Sequence, residues 1–215
     1  ISEKRVLEKL HSKGFDMFEY ERKAQSEGCN FIAGIDEAGR GPLAGPVCVA
    51  CVVMPLGEED IIEGVNDSKK LSEKKREELF EKIKERALSY SIEFVDEKTI
   101  DKINILQATK LGMKRAVEHI SVPIDLLLVD AVTGLDVDCQ CLPIVHGDAK
   151  SYSIAAASIL AKVSRDRLME KYDEFYPEYH FAKHKGYGTK EHIALLKEFG
   201  PSDMHRKTFI NHFVS

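Results

Sequence analysis

The sequence has no apolar run long enough to cross a bilayer. The longest, Pro46–Pro55 and Ile124–Val129, fall far short of the roughly 20 residues that a spanning helix needs. The opening residues, Ile1-Ser2-Glu3-Lys4-Arg5, are charged and hold no apolar signal core; they also lack an initiator Met, which points to a trimmed chain. Cysteine is scarce and odd in number, five in 215 residues, which argues against a disulfide framework and for reduced thiols in a cytoplasmic protein. A surplus of positive charge is missing too. Lysine and arginine number 31 against 36 acids, a net charge of −5, so there is no global basic field to grip nucleic acid. A polyanion could be held only through a local patch or a bound metal. There is no internal repeat, no low-complexity tract and no Gly-x-x-x-x-Gly-Lys-Ser/Thr phosphate loop. With 43% hydrophobic and 31% charged residues, collagen-like and wholly disordered readings fall away, leaving one globular domain or one domain with an appendage.

The apolar pattern divides the chain. Residues 1–29 read as two short helices with balanced charge, the first carrying Val6, Leu7 and Leu10 and stopping at Gly14, the second opening near Asp16. They form either a packing appendage or a substrate-side flap. From residue 30 to 215 strands alternate with helices. Strands are expected at Phe31–Asp36, Pro46–Met54, Tyr90–Val95, Ile124–Val129 and Leu142–Val145. Helices are expected at Ser72–Leu88, with Ser72 as N-cap and Leu79, Ile83 and Leu88 inward, and at Ile105–Ile120, Ser153–Tyr172 and Lys190–Phe199. This order implies an α/β layered domain with a mixed sheet, whose sites form beyond the carboxyl ends of strands.

Three acidic positions sit at such ends. Asp36-Glu37 closes the first strand, Asp130 closes the fourth, and Asp148 lies in the turn before the alanine-rich helix. If strands one and four are parallel neighbours, Asp36 and Asp130 converge. Crowded carboxylates repel unless a cation sits among them, and oxygen ligands suit Mg²⁺ or Mn²⁺. Plainer readings stand beside this. Acids are common after strands, Asp148 could simply cap the next helix, and Asp36 and Glu37 share a metal only if the strand bends or ends there.

Other motifs sort by chemistry. Cys48-x-x-Cys51 and Cys139-x-Cys141 invite a zinc reading, but a spacing of three along a strand puts Cys48 and Cys51 on opposite faces, so small buried hydrophobes explain them better. Gly39-x-Gly41-x-x-x-Gly45 is not a dinucleotide fingerprint: its third glycine is one place late and a strand follows where a helix should. It remains a loop with two glycines around Arg40, able to bring its backbone against a ligand, or else a plain tight turn. Lys69 and Lys70 precede a helix N-terminus, as a phosphate cradle or a solvated helix start. His180–Lys190 is the most basic stretch, with Tyr187 between glycines, free to stack on a sugar or base.

Together these motifs resemble ribonuclease HII, the type 2 ribonuclease H, on Gly34-Ile35-Asp36-Glu37-Ala38-Gly39-Arg40-Gly41-Pro42, Asp67-Ser68-Lys69-Lys70-Leu71, Val129-Asp130-Ala131, Gly147-Asp148-Ala149-Lys150-Ser151, the Ala155–Arg167 stretch, His184-Lys185-Gly186-Tyr187-Gly188-Thr189 and Gly200-Pro201 with His205-Arg206. The likeness spans residues 31–210. It implies the ribonuclease H-like fold, a mixed five-stranded sheet flanked by helices. Asp36, Glu37, Asp130 and Asp148 match the family's metal-binding acids. Gly39, Arg40 and Gly41 match its 2′-OH-reading loop, Tyr187 its sugar-stacking tyrosine and Lys69 a phosphate contact. The implied activity is Mg²⁺- or Mn²⁺-dependent hydrolysis of the RNA strand of RNA–DNA hybrids. It includes 5′ cleavage at single ribonucleotides in duplex DNA, by two metal ions, in a monomer without membrane contact. Arg40 and the lack of a large N-terminal domain favour type 2 over type 3. Residues 1–29 resemble the tail of an N-terminal extension of some bacterial members, which would place more sequence before Ile1. Phe209, Phe213 and the ending Asn211–Ser215 suit either a sliding-clamp contact or core packing. Another two-metal nuclease and a non-catalytic hybrid-binding module are the competing readings; the second would lack one of the acids.

Overall fold

The computed structural model describes residues 16–214. The first expected helix, with Val6, Leu7 and Leu10, lies outside them. The second is α1, Glu19–Ser26.

Five strands form one sheet: β1 Ile32–Ala38, β2 Val47–Val53, β3 Ser89–Val95, β4 Leu126–Asp130 and β5 Gln140–Ile144. Their order is β3-β2-β1-β4-β5. β2 pairs antiparallel with β1 and β3, while β1–β4 and β4–β5 are parallel, so the sheet is mixed as expected. β2, Val-Cys-Val-Ala-Cys-Val-Val, is wholly buried because both of its faces are covered. Cys48, Ala50 and Val52 enter one core and Val49, Cys51 and Val53 the other, which puts Cys48 and Cys51 in different layers.

Helices α2 Glu73–Arg86 and α5 Tyr152–Phe175 cover the first face, α4 Ile105–Glu118 the second. Ser72 caps α2 by accepting the Lys75 N–H, and Ser151 caps α5 by accepting that of Ile154. Small residues bring α5 against β1. A Cβ on Gly34 would fall 2.1 Å from the Ser153 carbonyl carbon, so strand and helix meet main chain to main chain.

Two details differ from expectation. Leu88 is exposed rather than inward, because α2 ends at Arg86 and Phe80 fills the core instead. An unexpected helix, α3 Glu97–Ile103, precedes α4. Beyond α5 come α6 Phe181–His184, α7 Lys190–Phe199 and α8 Lys207–Val214. Phe209 and Phe213 of α8 pack against the Leu43–Leu196–Ile210 cluster. No helix among the described residues is long and apolar enough to cross a membrane.

α1 is joined to the core. Phe18, just before it, stacks on Tyr152, and buried Glu21 accepts hydrogen bonds from Ser151 Oγ (2.6 Å) and Ser153 N–H (2.9 Å) at the start of α5.

Candidate active site

Parallel pairing of β1 with β4 sets Ile35 opposite Val129, so the next residues, Asp36 within β1 and Asp130 at the end of β4, stand side by side; β1 does not close at Asp36-Glu37 but continues, paired with β2, to Ala38. The Gly147 N–H donates to Asp130 Oδ1 at 2.7 Å and thereby ties the turn carrying Asp148 to the end of β4. A side chain at 147 would displace the tip of Ile154 and crowd Asp130. Oxygens of Asp36, Asp130 and Asp148 consequently lie within 4.8 Å of one another.

The group is electrostatically strained. Asp36 is held well above the ordinary carboxylate range by burial, then by the charges of Glu37 and Asp130. Asp130 is also raised, by burial first and by Asp148 as well, against the stabilising Gly147 N–H. Lys69 offers partial relief, its ammonium lying 3.0 Å from Asp148 Oδ2. Glu37 stands outside the three-acid group, because β1 runs regularly through Ala38 and side chains alternate along it. Its Oε1 faces Arg40 at 3.5 Å, and its Oε2 is buried with no hydrogen-bond partner among the described residues. Burial raises Glu37 too, and Asp130 adds to this against the pull of Arg40. An all-oxygen donor set this close, with an unpaired buried oxygen beside it, fits a hard divalent cation.

The glycine loop is built from behind by two buried guanidinium groups. Arg206 donates to the carbonyls of Gly39 (2.6 Å), Arg40 (2.9 Å) and Gly45 (2.9 Å). Arg165 donates to those of Ala44 (3.0 Å), Pro46 (2.9 Å) and Lys185 (2.9 Å). Burial, and then the charge of Arg165, lowers Arg206 to about 9, while Glu97 in α3 acts the other way. Gly39 has φ +94°, and a Cβ there would lie 2.0 Å from Arg165 Nε, so no other residue fits. Gly41 faces open space.

The same arginine brings in the Tyr187 segment. Gly186, at φ +84°, accepts from the Leu43 N–H, and a side chain on it would strike the Ala44 carbonyl. Tyr187 is 42% exposed, and its ring lies 5.8 Å from the Arg165 guanidinium and 5.9 Å from Lys162 Nζ. The fold thus gathers Asp36, Asp130, Asp148 and Lys69 into one cluster, with Glu37 and Arg40 beside it. Gly39, Gly41 and Tyr187 form an adjoining wall.

Arg165 and Arg206 were given no part in the site by sequence reasoning. A signal existed for the first: Ala157, Ala161, Arg165 and Met169 repeat at a spacing of four, which puts an arginine on the buried face of α5. For Arg206 the signal was its place in the Gly200-Pro201 and His205-Arg206 likeness, which gave it no role.

Comparison with known proteins gives the family and the fold. A family model for ribonuclease HII matches residues 33–212. A ribonuclease HII of Caldanaerobacter subterraneus subsp. tengcongensis is 56% identical over 209 residues, covering 97% of this chain and 86% of the relative. Among solved structures, ribonuclease H2 from Pyrococcus horikoshii OT3 matches with a TM-score of 0.72 and 28% identity, over 86% of this chain and 97% of that one. The Archaeoglobus fulgidus RNase HII, solved in a complex with PCNA, matches at 0.67 and 27%, over 82% and 94%. On its fold, its acids and these relatives, the chain belongs to the ribonuclease HII family and is a type 2 ribonuclease H, a metal-dependent nuclease of RNA–DNA hybrids.

Proposed function

We propose that the chain, beyond cutting the RNA strand of RNA–DNA hybrids, incises duplex DNA on the 5′ side of a single embedded ribonucleotide, leaving a 3′-hydroxyl and a 5′-phosphate. Two divalent ions, Mg²⁺ or Mn²⁺, would be held by Asp36, Glu37, Asp130 and Asp148. The observation that carries the reading is the meeting of three carboxylates within 4.8 Å beside a glycine loop fixed by buried guanidinium groups. Ions held there supply Lewis-acid polarisation of the scissile phosphate and a lowered pKa for water.

The chain's own groups supply the rest. Asp36 and Asp130 project from neighbouring parallel strands and Asp148 from a turn tied to the end of the second, so little reorganisation is needed when the phosphate arrives. The Lys69 side chain is 77% exposed and reaches Asp148 from solvent, a position from which it can turn to a substrate phosphate oxygen. Gly39, Arg40 and Gly41 read the ribose 2′-OH, the group that distinguishes RNA from DNA locally. Arg206 fixes two carbonyls of that loop before substrate binds, which lowers the ordering cost of recognition. Tyr187 stacks on the sugar of the next nucleotide.

Every residue named comes from one chain, so a monomer suffices. The Archaeoglobus relative was solved with PCNA; here Phe209 and Phe213 are half-buried against the Leu43–Leu196–Ile210 cluster, and no clamp contact is assigned to them.

The test is cleavage of a labelled DNA duplex with one ribonucleotide, with Mg²⁺, with Mn²⁺ and with EDTA. A single metal-dependent cut 5′ to the ribonucleotide is expected. An uncut duplex beside a cleaved long hybrid would overturn the single-ribonucleotide reading and keep the family activity.

A further inference from the structure

Three histidines lie behind the Tyr187 segment, and their hydrogen bonds assign a proton to each ring. His205 Nδ1 accepts from the Ser202 N–H at 3.0 Å, so its proton is on Nε2. That proton faces His192 Nε2 at 3.0 Å, which must therefore accept, leaving the His192 proton on Nδ1. His192 Nδ1 donates to the Tyr187 carbonyl at 2.9 Å. His184 flanks the tyrosine from the other side: its Nδ1 accepts the Gly186 N–H at 3.2 Å, and its Nε2 donates to the Tyr179 carbonyl at 2.7 Å. The His184 and His192 rings stack with centroids 4.2 Å apart.

All three rings are buried, and the chain of donors and acceptors closes only when they are neutral. A second proton on His192 or His205 would set two N–H groups against each other. Burial favours the neutral forms, holding His192 and His205 at about 4 and His184 below its usual value. An apolar trio would fill the same space without the desolvation of polar groups. What these rings add is direction. Ser202, His205 and His192 run in sequence to the main chain of Tyr187, and the next residue, Arg206, grips the carbonyls of Gly39 and Arg40.

We propose that His192, oriented by His205 and stacked on His184, is a positioning residue for Tyr187 and thereby sets the preference of the enzyme for a ribonucleotide in duplex DNA. This rests on the reading of Tyr187 as the sugar-stacking residue. The three histidines do not touch substrate; they fix the register of the loop from which the tyrosine projects. Displacing that loop by an ångström is enough to cost about 10- to 100-fold in turnover.

The experiment is a double-mutant cycle on the single-ribonucleotide duplex, with Mn²⁺ binding and thermal unfolding followed in every variant. His192→Leu is expected to lower kcat/KM at least about tenfold while Mn²⁺ affinity holds. In a Tyr187→Ala background the same change should add less than about twofold, because its effect already passes through the tyrosine. His192→Asn, whose amide can replace the Nδ1 donor, should restore most of the activity. Equal losses in the two backgrounds, or an Asn variant as impaired as the Leu variant, would overturn the positioning role. Full activity of Tyr187→Ala would instead overturn the reading of the tyrosine and the positioning role with it. Should the Leu variant fail to fold, imidazole ¹⁵N shifts of the unaltered protein decide. Neutral His192 protonated at Nδ1 and His205 at Nε2 at pH 7 support the proposal; either ring in the opposite tautomer overturns it.

Discussion

Replacing Asp36 by Asn should stabilise the metal-free protein while abolishing catalysis. At 4.8 Å, the spacing within which the three acids meet, two unit charges repel by about 3.5 kcal/mol at an effective dielectric constant of about 20. Asp36 faces two such partners, and burial adds to the cost of its charge. The Lys69 ammonium and partial protonation of Asp36 offset much of this, leaving a gain of about 2 kcal/mol on substitution. Asn keeps an oxygen to accept the Glu37 N–H, at 2.7 Å from Asp36 Oδ1, so the local fold is retained. For a chain of this size the gain corresponds to about 4–8 °C in Tm. The sign with pH follows from linkage. A carboxyl raised in the folded state binds more protons there than in the unfolded chain, so the native protein loses stability as pH rises from the ordinary carboxylate range through the raised folded value. The advantage of the Asn variant should therefore be largest at neutral pH and shrink in acid. Calorimetry in EDTA at two pH values, repeated with Mn²⁺, measures both effects. An Asn variant less stable than the native chain in EDTA, or an equal Mn²⁺ increment in both proteins, would refute the reasoning.

Other outcomes follow from the same structure. Gly39→Ala places a methyl 2.0 Å from Arg165 Nε at φ +94°, so hybrid cleavage should fall about 100-fold or more with Mn²⁺ binding retained; kinetics beside a binding titration tell the two apart. Glu21→Ala removes the acceptor of Ser151 Oγ and the Ser153 N–H, at an expected cost of about 2–4 kcal/mol in urea unfolding. Burial already raises Glu21, so Glu21→Gln should cost about 1 kcal/mol or less; a Gln variant as unstable as Ala would show that charge, not the acceptor, matters. His192 and His205 are depressed from 6.5 to about 4, so their contribution is complete above pH 6.5 and is lost as pH falls toward about 4. Replacing both with apolar residues should flatten this acid limb in a pH series of Tm.

The strands were legible because buried runs such as Val47–Val53 announce themselves, and carboxylates at their ends follow from the same pattern. Whether Asp36 and Asp130 meet was not legible, since it depends on a register, Ile35 opposite Val129, that joins segments nearly a hundred residues apart. The roles of Tyr187 and Gly39 came from family likeness; in isolation each fits an ordinary turn. α3 escaped notice because seven residues with two isoleucines give too short a period to read. Leu88 was misjudged by carrying a helical period beyond the real end of the helix. Arg206 entered only through the family likeness and without a role, because its acceptor, the Gly39 carbonyl, lies 167 residues away and is main chain, which leaves no trace in side-chain pattern.

The contact of Gly34 with Ser153 has a consequence for how this family can change. Asp36 lies two residues beyond one partner and Asp148 five before the other, so the span between those acids is referred to two touching main chains with no side chain between them. Core substitutions alter volumes, but they have no volume to alter at this junction. The span is thus insulated from gradual change in the surrounding interior, and the exposure to loss is concentrated in one position, where a single methyl group would push strand and helix apart.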